Sequence, residues 1–235
     1  MTAFKAELCL WLCIMLSARG GGQLTPNVIQ PQASNWDIQF GTGSADHPSP
    51  GGDGMWSLDI PEETNYPGCI NVGCKYISVV STPYTTAQKL SSITMTFRLD
   101  YTPGTQFNWE LDPTNIAGCG GAPAHVLLYF QRRNDDWSTD KYRYWAWGTT
   151  LGHPEYDYIL GSDPSGMTVT ITTPLEPNRW VSVYTPASAD PTAFFAAIQN
   201  VAHVGIAFGG GCAAGHGVDV SNGTAKFTLI SYTLT

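Results

Sequence analysis

Hydrophobic and polar residues alternate along several short segments of the chain. The clearest alternation is Ile-Thr-Met-Thr-Phe-Arg-Leu, residues 93–99, whose four apolar side chains would share one face of a strand. The segment Val-Leu-Leu-Tyr-Phe, residues 126–130, has no such alternation, which is typical of a central strand covered on both faces. Candidate strands lie at 56–60, 76–81, 91–99, 125–132, 142–147, 167–172, 204–208 and 225–234.

One helix is predicted between the last strands. Asp190 suits the N-cap, and Pro191 suits the first helical position because its missing N–H needs no partner there. Phe194, Phe195 and Ile198 are spaced to form an inward-facing stripe. The helix is expected to end near residue 200, ahead of the strand at 204–208.

Turn-forming residues separate these elements. Glycine (25) and proline (16) are frequent, and the strands are short and evenly spaced. The pattern predicts an all-β fold, a jelly-roll-like antiparallel β-sandwich with one short helix near the C-terminus. We expect an extended N-terminal arm at 21–55, with a candidate edge strand at 36–40, and one sandwich domain at 56–235.

The first twenty residues have the features of a secretory signal peptide. Lys5 precedes an apolar run from Leu8 to Leu16, and small residues such as Ala18 and Gly20 follow. The run is shorter than the roughly 20 apolar residues that span a bilayer. A secreted, extracellular protein is therefore expected. A mis-assigned start or a disordered tail is the alternative.

Cysteine usage agrees with export. Cleavage near residue 20 would remove two of the six cysteines and leave an even number, as expected in an oxidising compartment. One expected pair lies in a tight turn, and each member of the other lies among glycines. A zinc site is disfavoured because the Cys-x4-Cys spacing is too wide and no His pair follows. The predicted disulfides are Cys69–Cys74 and Cys119–Cys212.

Charge narrows the choice of partners. The net charge is −8 and the sequence pI is about 4.9, whereas proteins that bind nucleic acids or anionic membranes non-specifically are basic. We expect no nucleic-acid partner, no membrane span and a monomer.

The densest mixture of polar and aromatic residues lies at 125–147, on two candidate strands. A sheet face that combines Tyr and Trp with Arg, Gln and Asp suits a sugar, because rings cover its C–H face and polar groups bind its hydroxyls. Ordinary core packing and a protein interface are the alternatives. A glycine-rich loop at 209–217 adds one histidine. The candidate ligand-binding residues are His125, Tyr129, Gln131, Arg133, Asp135, Trp145, Trp147 and His216.

The order of these features resembles that of galactose-binding-like domains and carbohydrate-binding modules. The shared features are Trp-Ser-Leu-Asp-Ile-Pro at 56–61, an aromatic strand–turn–strand, and a late helix that leads into the penultimate strand. The resemblance covers roughly residues 50–235 and implies carbohydrate binding. It also implies a candidate structural calcium ion and no other cofactor. Asp53, Asp59 and Asp219 are the acidic candidates for its ligands.

The case for a glycosidase rests on one short segment, and the basic and tyrosine side chains at 132–144 leave a polysaccharide lyase as another enzyme alternative. Glu110 and Asp112 resemble the start of the Glu-x-Asp-x-x-Glu motif of laminarinase-type glycosidases, but Asn115 replaces the last carboxylate. Pro113 would interrupt the strand that carries the motif. We therefore expect a secreted, non-catalytic domain that binds a glycan or another extracellular surface ligand. The alternatives are an extracellular structural or protein-interaction domain and, third, a polysaccharide-active enzyme.

Overall fold

A computed structural model describes residues 26–40, 45–62, 77–84, 90–109, 123–134, 143–146, 152–182, 185–210 and 217–235. The first strands are β1 (Asn27–Ile29), β2 (Asp37–Phe40), β3 (Ala45–Asp46), β4 (Ser49–Pro50), β5 (Trp56–Ile60), β6 (Ile77–Pro83), β7 (Ser92–Tyr101) and β8 (Gln106–Trp109). The later strands are β9 (Ala124–Arg132), β10 (Arg143–Trp145), β11 (Asp157–Ile159), β12 (Thr168–Pro174), β13 (Val181–Ser182), β14 (Thr185–Pro186), β15 (Val201–Gly210), β16 (Val218–Ser221) and β17 (Ala225–Leu234). Helix α1 spans Pro191–Ile198, and 3₁₀ turns span Ala33–Asn35, Gly52–Gly54, Pro154–Tyr156, Pro177–Arg179 and Ala187–Ala189.

The smaller sheet has the order β12-β7-β17-β5-β4, and β1 also pairs with β17. The alternation predicted for β7 is confirmed. Its four apolar side chains Ile93, Met95, Phe97 and Leu99 are buried against the other sheet. The final strand β17 therefore lies between β7 and the early strands, as the jelly-roll-like prediction requires.

The larger sheet has the order β14-β13-β10-β9-β15-β6-β16-β8, with β2 beside β6 and β11 beside β9. Strand β9 is central, as its unbroken apolar run predicted. Val126, Leu128 and Phe130 face the main core, whereas Leu127 and Tyr129 belong to a second buried cluster on the opposite face. Apart from one isolated parallel bridge, the described strand pairs are antiparallel. The predicted all-β sandwich is confirmed.

Aromatic side chains fill the space between the two sheets. Phe97 and Phe227 stack with ring centroids 4.9 Å apart. Tyr232 reaches across the sandwich and donates a hydrogen bond of 2.9 Å to the carbonyl oxygen of Gly205 on β15. Burial raises the pKa of the Tyr232 hydroxyl, so the group stays neutral and keeps this proton. A side chain at Gly205 has no room, because its Cβ would lie 2.2 Å from the carbonyl oxygen of Val80.

Helix α1 begins as the sequence predicts. The side chain of Asp190 accepts a hydrogen bond of 3.0 Å from the backbone N of Ala193. The predicted inward stripe is wrong at Phe195, which is 49% exposed. Neighbouring residues point about 100° apart on a helix, so Phe194 and Phe195 cannot both point directly at the core. Phe194 is the buried one, and it packs edge-on against Tyr144 with centroids 5.0 Å apart.

Several predictions fall outside the described residues. They are the signal peptide at 1–20, the two disulfides and the carboxylate segment that follows Trp109. Within the described ranges, no helix is long and apolar enough to cross a membrane.

Candidate functional site

The predicted binding face lies along β9, on the side turned away from the main core. His125, Tyr129 and Gln131 are all buried there, at 2%, 0% and 7% exposure. Arg133, just past the end of β9, is exposed. Trp145 of β10 is the register partner of Tyr129. Asp135, Trp147 and His216 lie outside the described residues.

The buried members of this face form polar contacts with one another and with β11. The His125 Nδ1 atom lies 3.4 Å from a carboxylate oxygen of Asp157 and has no hydrogen-bond partner among the described residues. The Tyr129 hydroxyl donates to the side-chain oxygen of Gln131 at 2.8 Å. Among the predicted residues of this face whose side chains are described, only Arg133, just past the end of β9, presents its side chain to solvent. Ligand binding by this face stays a prediction.

An open cleft of 890 Å³ lies at one end of the smaller sheet. Its walls come from the ends of β5 and β7, the start of β17 and the turn that precedes β12. Charged and hydroxyl-bearing side chains dominate this lining. They are Asp59, Glu62, Arg98, Asp100, Tyr101, Thr102, Ser165, Thr224 and Lys226.

Strand register brings the charged residues of the cleft together. Lys226 of β17 is the register partner of Asp59 on β5 and of Asp100 on β7. The three side chains therefore form a row across neighbouring strands on the solvent face of the sheet. Arg98 precedes Asp100 by two residues and so points to the same face.

These charges form exposed pairs. Arg98 Nε lies 2.9 Å from an Asp100 carboxylate oxygen, and Lys226 Nζ lies 3.7 Å from an oxygen of Asp59. Exposed pairs of this kind contribute only about 0–1 kcal/mol to stability. Their clustering in a concavity is thus poorly explained by folding, and the groups remain accessible to a ligand.

Tyr101 is fixed at the side of the cleft by three contacts. Its hydroxyl donates to the carbonyl oxygen of Asp163 at 2.6 Å, and its backbone N donates to the Ser165 hydroxyl at 2.7 Å. Its ring meets Phe107 edge-on, with centroids 5.6 Å apart. The half-buried ring is therefore held in one orientation before any ligand arrives.

Threonine hydroxyls connect two turns that contribute to the cleft. The backbone N of Thr224 donates to the Thr102 hydroxyl at 2.9 Å, and the Thr102 and Thr105 hydroxyls are 3.0 Å apart. Gly223 permits this close approach, because a Cβ there would lie 2.2 Å from the Thr105 hydroxyl oxygen. The turn between β16 and β17 is thereby tied to the turn between β7 and β8.

The three acidic residues proposed as calcium ligands occupy different surroundings. Asp53 lies in an exposed turn with φ of 60°, and Asp59 lines the cleft. Asp219 is buried on β16 and accepts a hydrogen bond of 3.0 Å from the Asn108 amide. The described part of the chain contains no group of three His, Cys, Asp or Glu side chains that could hold a metal. A calcium ion stays a prediction from the sequence.

Most of the cleft was not predicted from the sequence. Asp59 was named only as a metal candidate, and Arg98, Asp100 and Lys226 were not named. A signal does exist, since the outward-facing positions of β7 and β17 carry hydroxyls along most of their length and charges only at one end. Recognising this signal requires the pairing of two strands that are far apart in the chain.

Comparison with known proteins gives one structural likeness. No family model matches the chain, and none of the curated proteins matches it. A solved structure described as xylan-binding module CBM15 has 12% sequence identity and a TM-score of 0.39, and the match covers 87% of this chain and 96% of that one. The assignment of this chain to the β-sandwich class rests on its own two antiparallel sheets.

Proposed function

We propose that this chain is a secreted, non-catalytic domain that binds carbohydrate in the cleft at the end of the smaller sheet. One observation carries the proposal: the cleft combines paired carboxylates and cations with several hydroxyls and one fixed tyrosine ring. Sugar hydroxyls both donate and accept hydrogen bonds, so they match such a mixed set. The two charge pairs and Tyr101 stand on strands, which hold a site more precisely than loops do.

The surface supports carbohydrate better than a protein partner. Protein interfaces have an apolar, aromatic centre and few charges there. The exposed large apolar side chains of the described residues lie instead at four separate places in the chain: Val28 on β1, Ile159 on β11, Met167 just before β12 and Phe195 on α1. The cleft itself is concave and rich in charge, which favours a small polar ligand.

Secretion is proposed from the sequence alone. The apparent signal at 1–20 and the even number of cysteines after it support the same compartment. The intact mass of exported protein checks this, and a mass that still includes those residues would contradict it.

A glycan array with the exported protein, followed by calorimetric titration of the best soluble glycan, tests the binding proposal. Replacing both Arg98 and Asp100 by Ala is expected to weaken binding about tenfold or more, because charge-assisted hydrogen bonds contribute about 1.5–3 kcal/mol each. The matched control is Glu176→Ala, which removes an exposed, ion-paired carboxylate that does not line the cleft. Its affinity should equal that of the wild type.

Two results would contradict the proposal. Failure to bind any glycan would remove carbohydrate as the ligand. Normal binding by the cleft variant would remove the cleft as the site, and a loss with Arg133→Ala or Trp145→Ala would then assign binding to the β9–β10 face. Analysis of the bound glycan for cleavage products tests for catalysis. Cleavage would identify an enzyme and would contradict the non-catalytic role.

A further inference from the structure

The solvent face of the smaller sheet carries a small grid of hydroxyls next to the cleft. One row across the strands is Thr172 on β12, Thr94 on β7 and Thr233 on β17. The next row is Thr170, Thr96 and Ser231 on the same three strands. A β-bulge between Leu229 and Ser231 keeps both β17 hydroxyls on the outer face. We call these six residues the hydroxyl face.

The hydroxyl face leads directly into the cleft. Two residues beyond Thr96 on β7 is Arg98, and the register partner of Arg98 on β12 is Thr168. Along the outer side of β7, the first charged residues after Thr96 are Arg98 and Asp100. The six residues of the hydroxyl face carry no charge. Solvent-facing edge strands such as β12 usually carry lysine or another charge to prevent unwanted pairing. An uncharged, hydroxyl-only face therefore suits an uncharged, hydrogen-bonding partner.

Four of the six hydroxyls of this face are held in place by hydrogen bonds before binding. The Thr94 and Thr172 oxygens are 2.9 Å apart, as are the Thr96 and Thr170 oxygens. Threonine is stiff at its first side-chain torsion, and each pair adds a hydrogen bond to that restraint. Within a pair, one donor and three acceptor positions remain for a ligand. Binding would cost little side-chain entropy, in contrast to binding by long charged side chains.

We propose that the hydroxyl face is a second binding site, for the surface of a neutral, insoluble polysaccharide. Its hydroxyls exchange hydrogen bonds with the polymer, and the threonine methyl groups contact sugar C–H groups. Each contact is weak, but the cleft and the face together can engage one polymer and so gain from effective concentration. The choice of a sugar polymer rests on the proposed function. The existence of the site rests on the two rows of uncharged hydroxyl side chains across β12, β7 and β17.

Retention of the exported protein on microcrystalline cellulose, insoluble xylan and chitin tests the site. A fourfold variant with Thr94, Thr96, Thr170 and Thr172 each replaced by Val keeps side-chain shape and strand propensity but removes the hydroxyls. Retention on the polymer that binds the wild type should fall about tenfold or more, because four hydrogen-bonding groups are lost. Affinity for a soluble oligosaccharide should stay unchanged. Thr173→Val, on the inner side of the same strand, is the matched control and should be retained like the wild type.

The outcomes separate this site from the cleft. Equal retention of the fourfold variant and the wild type would overturn the hydroxyl face, as would a wild type that none of the three polymers retains. A third outcome is that the variant loses retention while the wild type binds no soluble glycan. This outcome would support the hydroxyl face as a site and contradict the cleft as a site. If the fourfold variant does not fold, Thr170→Val with Thr172→Val, both exposed on the edge strand, replaces it with the same expected direction.

Discussion

At the residue scale, the hydroxyl group of Thr173 lies on the inner, apolar side of the smaller sheet. It is fully buried on β12, and its hydroxyl has no hydrogen-bond partner among the described residues. A buried, unpaired hydroxyl costs about 1–3 kcal/mol of desolvation that no bond offsets. Thr173→Val should therefore raise the free energy of unfolding by about 1 kcal/mol.

Urea denaturation measures this change. Thr172→Val, whose hydroxyl is exposed and bonded to Thr94, serves as the comparison and should not stabilise the fold. A destabilised Thr173→Val protein would mean that the buried hydroxyl does have a partner.

Single residues also show why the burial of the predicted binding residues could not be read from the sequence. Alternation along β9 places His125 and Tyr129 on the face opposite Val126, and the buried clusters agree with that parity. Parity does not determine exposure, because a face turned away from the main core can itself be covered. The burial of His125, Tyr129 and Gln131 depends on contacts that no local pattern encodes.

At the element scale, the helix cap gives the next prediction. The Asp190 carboxylate accepts the backbone N–H of Ala193, which would otherwise lack an intrahelical partner. Asp190→Ala should lower the free energy of unfolding by about 1 kcal/mol. Thermal and urea unfolding measure it, with Ser188→Ala, an exposed position just before the cap, as the control. Equal stability of the two variants would show that the cap contributes nothing.

The elements themselves were largely predictable. Each of the eight candidate strands is present, and those at Trp56–Ile60 and Ala225–Leu234 have the predicted bounds. Strands β8 and β16 were missed because each has four residues, too few for an alternation to be recognised. They are strands because they pair with each other, Val218 opposite Trp109, over a long separation in sequence.

At the scale of the whole molecule, register between distant segments creates the surface features. The cleft exists because β17 enters the sheet between β5 and β7, which places Lys226 between two carboxylates. The hydroxyl face arises from the same insertion, with β12 on the far side of β7. Neither feature can be read from one segment, since each row combines residues from three strands.

The longer predicted disulfide joins two segments that flank the paired strands β9 and β15 in the sequence. Ala124, at the start of β9, is the register partner of Gly210, at the end of β15. In the sequence, Cys119 precedes Ala124 by five residues and Cys212 follows Gly210 by two, and both cysteines lie outside the described residues. A bond between them would close a loop of about 90 residues and stabilise the fold by about 4–5 kcal/mol in the chain-entropy model.

Replacing Cys119 and Cys212 together by Ala should therefore destabilise the protein more than replacing Cys69 and Cys74. The short loop between the latter pair limits its expected contribution to about 2 kcal/mol. Free energies of unfolding from urea titration, with a peptide map of the unreduced wild type, decide between the pairings. Equal losses in the two double variants, or a map that links Cys119 to Cys69 or Cys74, would refute the predicted connectivity. The loss of stability is expected to be larger for the Cys119 and Cys212 variant because of loop length alone. A longer closed loop removes more conformational freedom from the unfolded chain.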